Sequence, residues 1–298
     1  MKSTKKSHCS GNANTAIEKE NSYADIIRAF SPVLSLKEAI IDSITAVEAD
    51  GKVKFDEKIF GDGIPLLAQG NPLINNGEDV NDLSLKITSA IAEGFPIFAG
   101  EMENISQAII KTTLRPQEYL AKYPKHDETA FATLASALSV SYEAIYLFFY
   151  FLTRIFLERK SRVLGSVIHD CEWDKGYCAI CGGAPMLAKI KQEKHGQRWL
   201  VCSVCLHQWR FNRVVCPHCY SEGKEETNYI FINEEEHDSA FYCDKCKRYL
   251  VTLYRIAEFA DSVPSDIHSI KLSYIDVIMQ NKGYLPMATL PWNKFGAS

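Results

Sequence analysis

Eight of the ten cysteines in this sequence form four C-x-x-C pairs, all in its second half. A C-x-x-C turn presents two thiolates to one metal ion, and two such turns supply the ligands of a tetrahedral four-sulfur site. The sequence carries no apolar export signal, which favours metal ligation over disulfide bonds and a cytoplasmic location. The candidate ligands are Cys178, Cys181, Cys202, Cys205, Cys216, Cys219, Cys243 and Cys246.

Consecutive pairing of these turns predicts two sites, with spacings C-x2-C-x20-C-x2-C and C-x2-C-x23-C-x2-C that resemble zinc ribbons. Site 1 then contains Cys178, Cys181, Cys202 and Cys205, and site 2 contains Cys216, Cys219, Cys243 and Cys246. The alternatives are one metal shared by the two middle turns, or an interleaved cross-brace. The ten residues between the middle turns, "LHQWRFNRVV", contain no Gly or Pro and alternate like a strand, which favours two tandem sites.

Four-sulfur coordination suits both zinc and iron, so the predicted cofactors are two metal ions, iron or zinc. Glycine follows Cys181, as in rubredoxin-like turns, whereas Leu206, Tyr220 and Lys247 follow the other three pairs and weaken the iron interpretation of site 2. A closed four-sulfur site leaves no coordination position for water, and the histidines show no catalytic spacing. We therefore expect no catalytic residues and a protein that is not an enzyme.

The region that precedes the cysteines must position them, and its pattern is helical from about residue 22 to 169. A break is expected at Ser31-Pro32, with Ser35 capping the next helix. The apolar run at 142–157 contains Glu143 and Arg154 and is too short to span a membrane, so it is predicted to be a buried helix.

The composition changes at residue 171, where short alternating stretches between turns predict β-hairpins. A helical pattern returns at about 265–281. The sequence thus predicts an α+β fold: an N-terminal all-α helical domain, two tandem rubredoxin-like or zinc-ribbon β modules, and a C-terminal helix. The expected boundaries are 1–20 for a disordered tail, 21–170 for the helical domain, 171–214 and 215–260 for the two modules, and 261–298 for the C-terminal helix and tail.

Charge argues against a nucleic-acid-binding zinc ribbon, which is one alternative function for such modules. The net charge is −4, and the two modules differ: six basic residues against one acidic in 176–214, and five basic against eight acidic in 215–256. A phosphate-binding surface does not carry an acidic run such as Glu234–Glu236. The opposite signs suit either docking of the modules on each other or a protein partner. A rubredoxin-like electron-transfer protein is the other alternative.

The cysteine-rich half resembles the formate dehydrogenase accessory protein family, the FdhE-like proteins. Three segments carry the resemblance: "GYCAICGGAP", "VCSVCLHQWRFNRVVCPHC" and "YCDKCKRYL". The matching positions are Cys178, Cys181, Gly182 and Pro185, then Cys202, Cys205, Trp209, Arg213, Cys216 and Cys219, then Cys243, Cys246, Tyr249 and Leu250. The resemblance covers about 170–290 well, and the helical half only loosely through "GIPLLAQGNPLI".

This resemblance implies a cytoplasmic, non-catalytic assembly factor, a chaperone-like protein that acts in protein maturation. It implies that the partner is the catalytic subunit of a molybdenum or tungsten formate dehydrogenase. We expect no nucleic acid and no membrane span, and the sequence does not indicate an oligomeric state. The predicted partner-binding residues lie on the strand between the two sites and are Trp209, Arg210, Phe211 and Arg213; a small core under the metal turns is the competing expectation for the two aromatic side chains.

Overall fold

The structure is a computed structural model that describes residues 13–42, 53–74, 79–120, 122, 127–192, 196–223, 225–232, 238–256 and 263–293. In this part of the chain, seven α-helices precede the cysteines. They are α1 (Ala13–Asp42), α2 (Glu57–Gly61), α3 (Val80–Gly94), α4 (Ala99–Ile110), α5 (Gln117–Leu120), α6 (Glu128–Leu138) and α7 (Tyr142–Val167). Short 3-10 turns lie at Leu66–Gln69 and Pro96–Phe98.

Helix α7 is the centre of the helical half, as the apolar run predicted. Ser141 caps it by accepting a hydrogen bond from the Ala144 N–H, and the aromatic residues that follow are buried among α1, α3, α5 and α6. No single helix in the described ranges is long and apolar enough to cross a membrane; α6 and α7 pass that test only as a pair bent by 117°.

The expected break at Ser31-Pro32 is wrong, because α1 continues through Pro32 and Ser35 lies inside the helix. The Ser31 hydroxyl donates to the Ile27 carbonyl at 2.8 Å, which satisfies a main-chain acceptor next to the proline. Residues 1–12 of the expected disordered tail lie outside the described residues, and α1 begins at Ala13, inside that tail.

The cysteine-rich half forms one mixed sheet. Its strands are β1 (Pro185–Lys191), β2 (Gln197–Cys202), β3 (Gln208–Phe211), β4 (Thr227–Phe231), β5 (Asp238–Cys243), β6 (Arg248–Ile256) and β7 (Leu285–Pro286). The order is β3-β2-β1-β6-β5-β4, with β7 beside β6. The pairings within β3-β2-β1 and within β6-β5-β4 are antiparallel. β1 and β6 pair in parallel and join the two halves, and β7 is also parallel to β6.

The α+β fold class is therefore confirmed, and the two modules have fused into a single sheet. The predicted C-terminal helix is two short helices, α8 (Ser265–Lys271) and α9 (Ser273–Asn281), which pack on that sheet. One hydrophobic core joins the helices to the sheet, and a second lies around the cysteines. The boundaries drawn between separate domains stay a prediction.

Candidate metal centres

The structure brings the first four predicted ligands together in a group that we call the first cluster: Cys178, Cys181, Cys202 and Cys205. Their sulfur atoms all lie within 4.8 Å of one another. The Sγ–Sγ distances are 3.4 Å for Cys178–Cys205, 3.4 Å for Cys181–Cys202 and 3.5 Å for Cys181–Cys205. Three of these cysteines are buried and Cys181 is partly exposed.

The remaining four predicted ligands form the second cluster: Cys216, Cys219, Cys243 and Cys246. The Sγ–Sγ distances are 3.7 Å for Cys216–Cys246 and 3.6 Å for Cys219–Cys243. Here Cys219 and Cys246 are both partly exposed. The two middle C-x-x-C turns thus lie in different clusters, joined by β3 and the turn that follows it.

Both clusters have the dimensions of a four-sulfur metal site. A metal–sulfur distance of about 2.3 Å in a regular tetrahedron separates neighbouring sulfurs by about 3.8 Å, close to the distances found. All eight cysteines are free thiols rather than disulfides. Each cluster could therefore hold one metal ion, and sulfur-only ligands suit zinc and iron alike.

All four C-x-x-C turns share one backbone conformation. The residue after the second cysteine has a positive φ in each: 78° at Gly182, 57° at Leu206, 59° at Tyr220 and 53° at Lys247. Glycine adopts this conformation without strain, and the other three residues are held in it by the turn. The side chains that differ from glycine at these positions therefore leave the geometry of the turn unchanged.

Main-chain N–H groups point at the sulfurs of the first cluster. The N–H of Gly183 lies 3.4 Å from the Cys181 sulfur, and that of Val204 lies 3.3 Å from the Cys202 sulfur. A Cβ on Gly183 would sit 3.0 Å from the Cys202 sulfur, so this approach leaves little room for a side chain. Such contacts stabilise thiolates in the coordinated state.

Hydrogen bonds and burial shift the thiol pKa values in opposite directions within each cluster. In the first, burial raises the pKa of Cys205, whereas at Cys202 hydrogen bonds from the other three cysteines outweigh burial and lower the pKa. In the second, burial raises the pKa of Cys216 to about 11. At Cys219, burial is outweighed by hydrogen bonds from Ser221 and the neighbouring cysteines, which lower its pKa to about 7. In each cluster the pKa of one thiol is thus lowered, that of Cys202 in the first and that of Cys219 in the second, which favours the thiolate that a metal needs.

A loop from the helical half holds the first cluster. Leu66 and Leu67 donate their N–H groups to the carbonyls of Ala179 and Ile180, both at 3.0 Å, and these carbonyls belong to the first C-x-x-C turn. The Tyr177 hydroxyl donates to the Gly63 carbonyl at 2.8 Å. This loop lies in the segment "GIPLLAQGNPLI" that carried the loose resemblance of the helical half, but nothing in that pattern placed it on the cluster.

A buried ion network also reaches the first cluster from the helices. Arg154 is 1% exposed, and its guanidinium donates to the Ser203 carbonyl at 2.7 Å, inside the second C-x-x-C turn. It also donates to Asp266, which lies 3.0 Å from the Lys37 ammonium. Burial raises the pKa of Asp266, but Arg154 and Lys37 outweigh burial and lower it. The one arginine inside the apolar run of α7 was the sequence feature that could have indicated this network.

Different parts of the chain hold the second cluster. Gly176 donates its N–H to the Tyr220 hydroxyl at 3.0 Å, and a Cβ on Gly176 would lie 1.8 Å from the Pro217 carbonyl oxygen. On the other side, Leu285 donates its N–H to the Lys247 carbonyl at 2.8 Å. The third and fourth C-x-x-C turns are thus held by a short approach segment and by the C-terminal segment.

Of the two expectations for Trp209 and Phe211, the structure agrees with the small core beside the metal turns, and their role in partner binding stays a prediction. Trp209 is 4% exposed and donates its indole N–H to the Lys175 carbonyl at 3.0 Å; Phe211 is 7% exposed. Both belong to the core around the cysteines, because the small modules have few other large apolar residues to bury. Arg210 and Arg213, the other two predicted partner-binding residues, are exposed.

Comparison with known proteins gives a consistent result. A family model described as "FdhE, central domain" matches residues 177–213, which contain the whole first cluster. A protein named Protein FdhE homolog, from Stutzerimonas stutzeri, is 32% identical over 115 residues. This match covers 37% of this chain and 36% of that relative. Protein FdhE from Escherichia coli O157:H7 is 31% identical over 119 residues, covering 39% of this chain and 37% of the relative.

The aligned part therefore spans little more than a third of the length of these curated relatives. The fold extends further. The crystal structure of the FdhE protein from Pseudomonas aeruginosa superimposes with a TM-score of 0.60 and 19% sequence identity, covering 92% of this chain and 90% of that one. The resemblance predicted from the cysteine motifs is confirmed: this chain is FdhE-like in its cysteine-rich half and has the FdhE fold.

Proposed function

We propose that this protein is a non-catalytic accessory factor in the maturation of a molybdenum or tungsten formate dehydrogenase. In this proposal it binds the catalytic subunit of that enzyme in the cytoplasm. The observation that carries the proposal is the FdhE-like segment 177–213, which contains a complete four-cysteine cluster on an FdhE fold. The curated relatives align with little more than a third of this chain, so the function of the whole protein is part of the proposal.

We further propose that the eight cysteines ligate two metal ions, one in each cluster, and that these ions hold the turns in shape. Each cluster supplies four sulfurs at tetrahedral separations, so protein atoms occupy every position of a four-coordinate metal. An ion in such a site stabilises the fold and has no open position for a substrate. This closed ligand set supports a binding function rather than catalysis.

The surface proposed to bind the client is the basic face of the first module. Arg210 and Arg213 are exposed there; of the six basic residues against one acidic in 176–214, Lys189 and Arg198 are buried and add nothing to the surface. Such a surface favours an acidic patch on the partner, because complementary charge speeds association and excludes wrong partners. Buried Trp209 supports this face from below, since its indole N–H fixes the neighbouring Lys175 carbonyl.

A pull-down with metal-loaded protein and the catalytic subunit of formate dehydrogenase tests the proposal. We expect the wild-type protein to retain the subunit, and an Arg210→Glu/Arg213→Glu variant to retain about tenfold less at low salt. The matched control is Arg115→Glu, because Arg115 is also exposed but lies in the helical half. An empty pull-down with wild-type protein overturns the proposal.

Two further outcomes would assign a different function. Retention of DNA that weakens steeply with salt would favour a nucleic-acid-binding ribbon. The N–H contacts to the Cys181 and Cys202 sulfurs are a rubredoxin-like feature and favour electron transfer through iron as the second candidate. Metal analysis and visible absorption after anaerobic purification distinguish an electron-transfer iron site from a structural zinc site. A thiolate-to-iron absorption band supports iron, and two colourless zinc ions per chain support a purely structural role.

A further inference from the structure

Arg198 connects the two clusters. It lies on β2, four residues before Cys202, and its side chain is 1% exposed. Its Nη2 atom donates to the main-chain carbonyls of Asn212 and Val215, the second at 2.6 Å. Val215 directly precedes Cys216, the first ligand of the second cluster. One side chain thus fastens the strand that ends in the first cluster to the chain that begins the second.

The surroundings of Arg198 show that it does more than fill space. Among the described residues no carboxylate forms an ion pair with Arg198, and the Tyr229 hydroxyl is a neutral group that faces its guanidinium. Instead, the guanidinium carbon lies 5.2 Å from the ring centre of Phe211 and 4.9 Å from that of Phe241. These rings come from β3 and β5, one from each half of the sheet.

A buried guanidinium without a carboxylate is costly, and burial accordingly lowers the pKa of Arg198. An apolar side chain of similar volume would fill the same space at lower cost. It would leave the carbonyls of Asn212 and Val215 without this donor, and the turn before Cys216 would lose its attachment to β2. The contact that Arg198 supplies is therefore the one between β2 and the turn that leads into Cys216.

We propose that Arg198 is a positioning residue that couples the two clusters, so that metal binding at one strengthens metal binding at the other. A metal in the first cluster fixes Cys202 and with it the end of β2. Arg198 then holds Asn212 and Val215, and Cys216 is already in place when the second metal binds. The coupling is reciprocal, because a binding free energy shared by two sites acts equally in both directions.

Cobalt(II) titration with a competing chelator tests the coupling, because cobalt–thiolate absorption reports how many sites are filled. The second cluster is disabled by Cys219→Ser/Cys246→Ser, which changes only its two partly exposed ligands. We expect this change to weaken cobalt binding at the first cluster about tenfold in the wild-type background. In an Arg198→Met background the same change weakens it less than twofold. Equal effects in both backgrounds overturn the proposal, as does no effect in the wild type.

Arg210→Met is the matched control, because Arg210 lies on the neighbouring strand with its side chain exposed. In an Arg210→Met background, disabling the second cluster should still weaken cobalt binding at the first cluster about tenfold. Arg198→Lys retains a cation but not the two-nitrogen fork, and we expect it to restore only part of the coupling. If Arg210→Met abolishes the coupling between the clusters, the coupling is not specific to Arg198.

Hydrogen exchange gives a readout that needs no Arg198 variant. In the Cys219→Ser/Cys246→Ser protein, filling only the first cluster slows exchange of the amides from Val214 to Cys216 about tenfold. Unchanged exchange overturns the coupling. The inference rests on the proposed metal occupancy of the clusters. If the protein shows no cobalt–thiolate band, the proposed metal binding is wrong. If the band is present but the effects are equal in the two Arg198 backgrounds, only the coupling is wrong. Neither result depends on the client.

Discussion

The two clusters have the same ligands and the same turns, but they are held by different parts of the molecule. The helical half holds both turns of the first cluster, through the loop at Leu66–Leu67 and through Arg154. The second cluster is held by a single glycine approach and by the C-terminal segment, and two of its sulfurs are partly exposed instead of one. Equal metal chemistry therefore does not mean equal stability: ligands of both clusters lie in one core, but the second cluster exposes one ligand more than the first.

Two buried carboxyl groups show the same difference. Asp266, in the ion network that reaches the first cluster, is matched by two cations and its pKa is lowered. Asp276, on α9, accepts a hydrogen bond from the Tyr249 hydroxyl at 2.6 Å. Burial raises the pKa of Asp276 to about 7, although the hydrogen bond acts in the opposite direction. The carboxyl group matched by cations thus has a lowered pKa, and the one held by neutral groups has a raised pKa.

The largest effect is expected from Arg154→Met. It leaves Asp266 buried with one cation fewer and removes the donor to the Ser203 carbonyl. Breaking one partner of a buried ion pair costs about 3–5 kcal/mol. Urea unfolding with an unchanged m-value measures this loss, and the first cluster should release metal faster.

The exposed Arg115→Met is its control and should change the free energy of unfolding by less than about 0.5 kcal/mol. A double variant, Arg154→Met/Asp266→Asn, removes both charges and should recover part of the loss. If Arg154→Met costs no more than the control, the claim that the helical half supports the first cluster is wrong.

The next effect concerns pH. Asp276 goes from its ordinary pKa of 3.8 to about 7 on folding, so the folded protein binds the proton more tightly. This carboxyl therefore contributes stability at low pH that is lost as pH rises from about 4 to about 7, by about 3–4 kcal/mol. Asp276→Asn removes this loss, so the free energy of unfolding of the variant increases relative to that of the wild type as pH rises. A difference in unfolding free energy between the two proteins that stays constant from pH 5 to pH 8.5 would contradict it.

A smaller effect is expected from Gly176→Ala. The added methyl group meets the Pro217 carbonyl oxygen and pushes the third C-x-x-C turn outward. Overpacking of this kind costs about 1–3 kcal/mol, and metal affinity should fall at the second cluster alone. Gly100→Ala is the control, because the added carbon on α4 meets nothing within 4 Å, so the change should be stabilising. Equal loss of metal from both clusters would show that the close approach of Gly176 to Pro217 does not act on the second cluster alone.

The smallest effect is kinetic. When a chelator is added to the fully loaded protein, release should be biphasic, with the second cluster on the order of tenfold faster, a difference of about 1.4 kcal/mol in barrier. The reason is that Cys219 and Cys246 are both partly exposed, whereas the first cluster exposes only Cys181. The Cys219→Ser/Cys246→Ser protein should lose the fast phase. If that variant loses the slow phase instead, the first cluster is the one that releases its metal faster.

The sequence predicted the features that depend on local pattern. The spacing of the C-x-x-C pairs and the strand alternation in "LHQWRFNRVV" indicated which cysteines come together, because both are local properties; the turn at Asn212–Val215 within this run was not predicted. The α+β class and the buried α7 followed from periodicity in the same way.

What the sequence did not indicate are contacts between distant segments. No local pattern places Leu66 on the Ala179 carbonyl, or Arg154 on Ser203, because such contacts depend on how helices and sheet pack. Nor did the pattern predict that β1 and β6 would pair in parallel and fuse the two modules. For the aromatic side chains of β3, a partner surface and a small core were both expected, because alternation gives two faces of a strand but not which one is covered.

The parallel pairing of β1 with β6 also constrains the order of events on the ribosome. Each cluster closes between cysteines that are near in sequence, whereas the seam joins Ala188 to Thr252 across the whole second cluster. Loop closure over that length is slower than closing either hairpin. During synthesis the first four cysteines therefore emerge, fold and can take up their metal before the sheet exists as one body, and the seam forms only after residue 256 has left the exit tunnel.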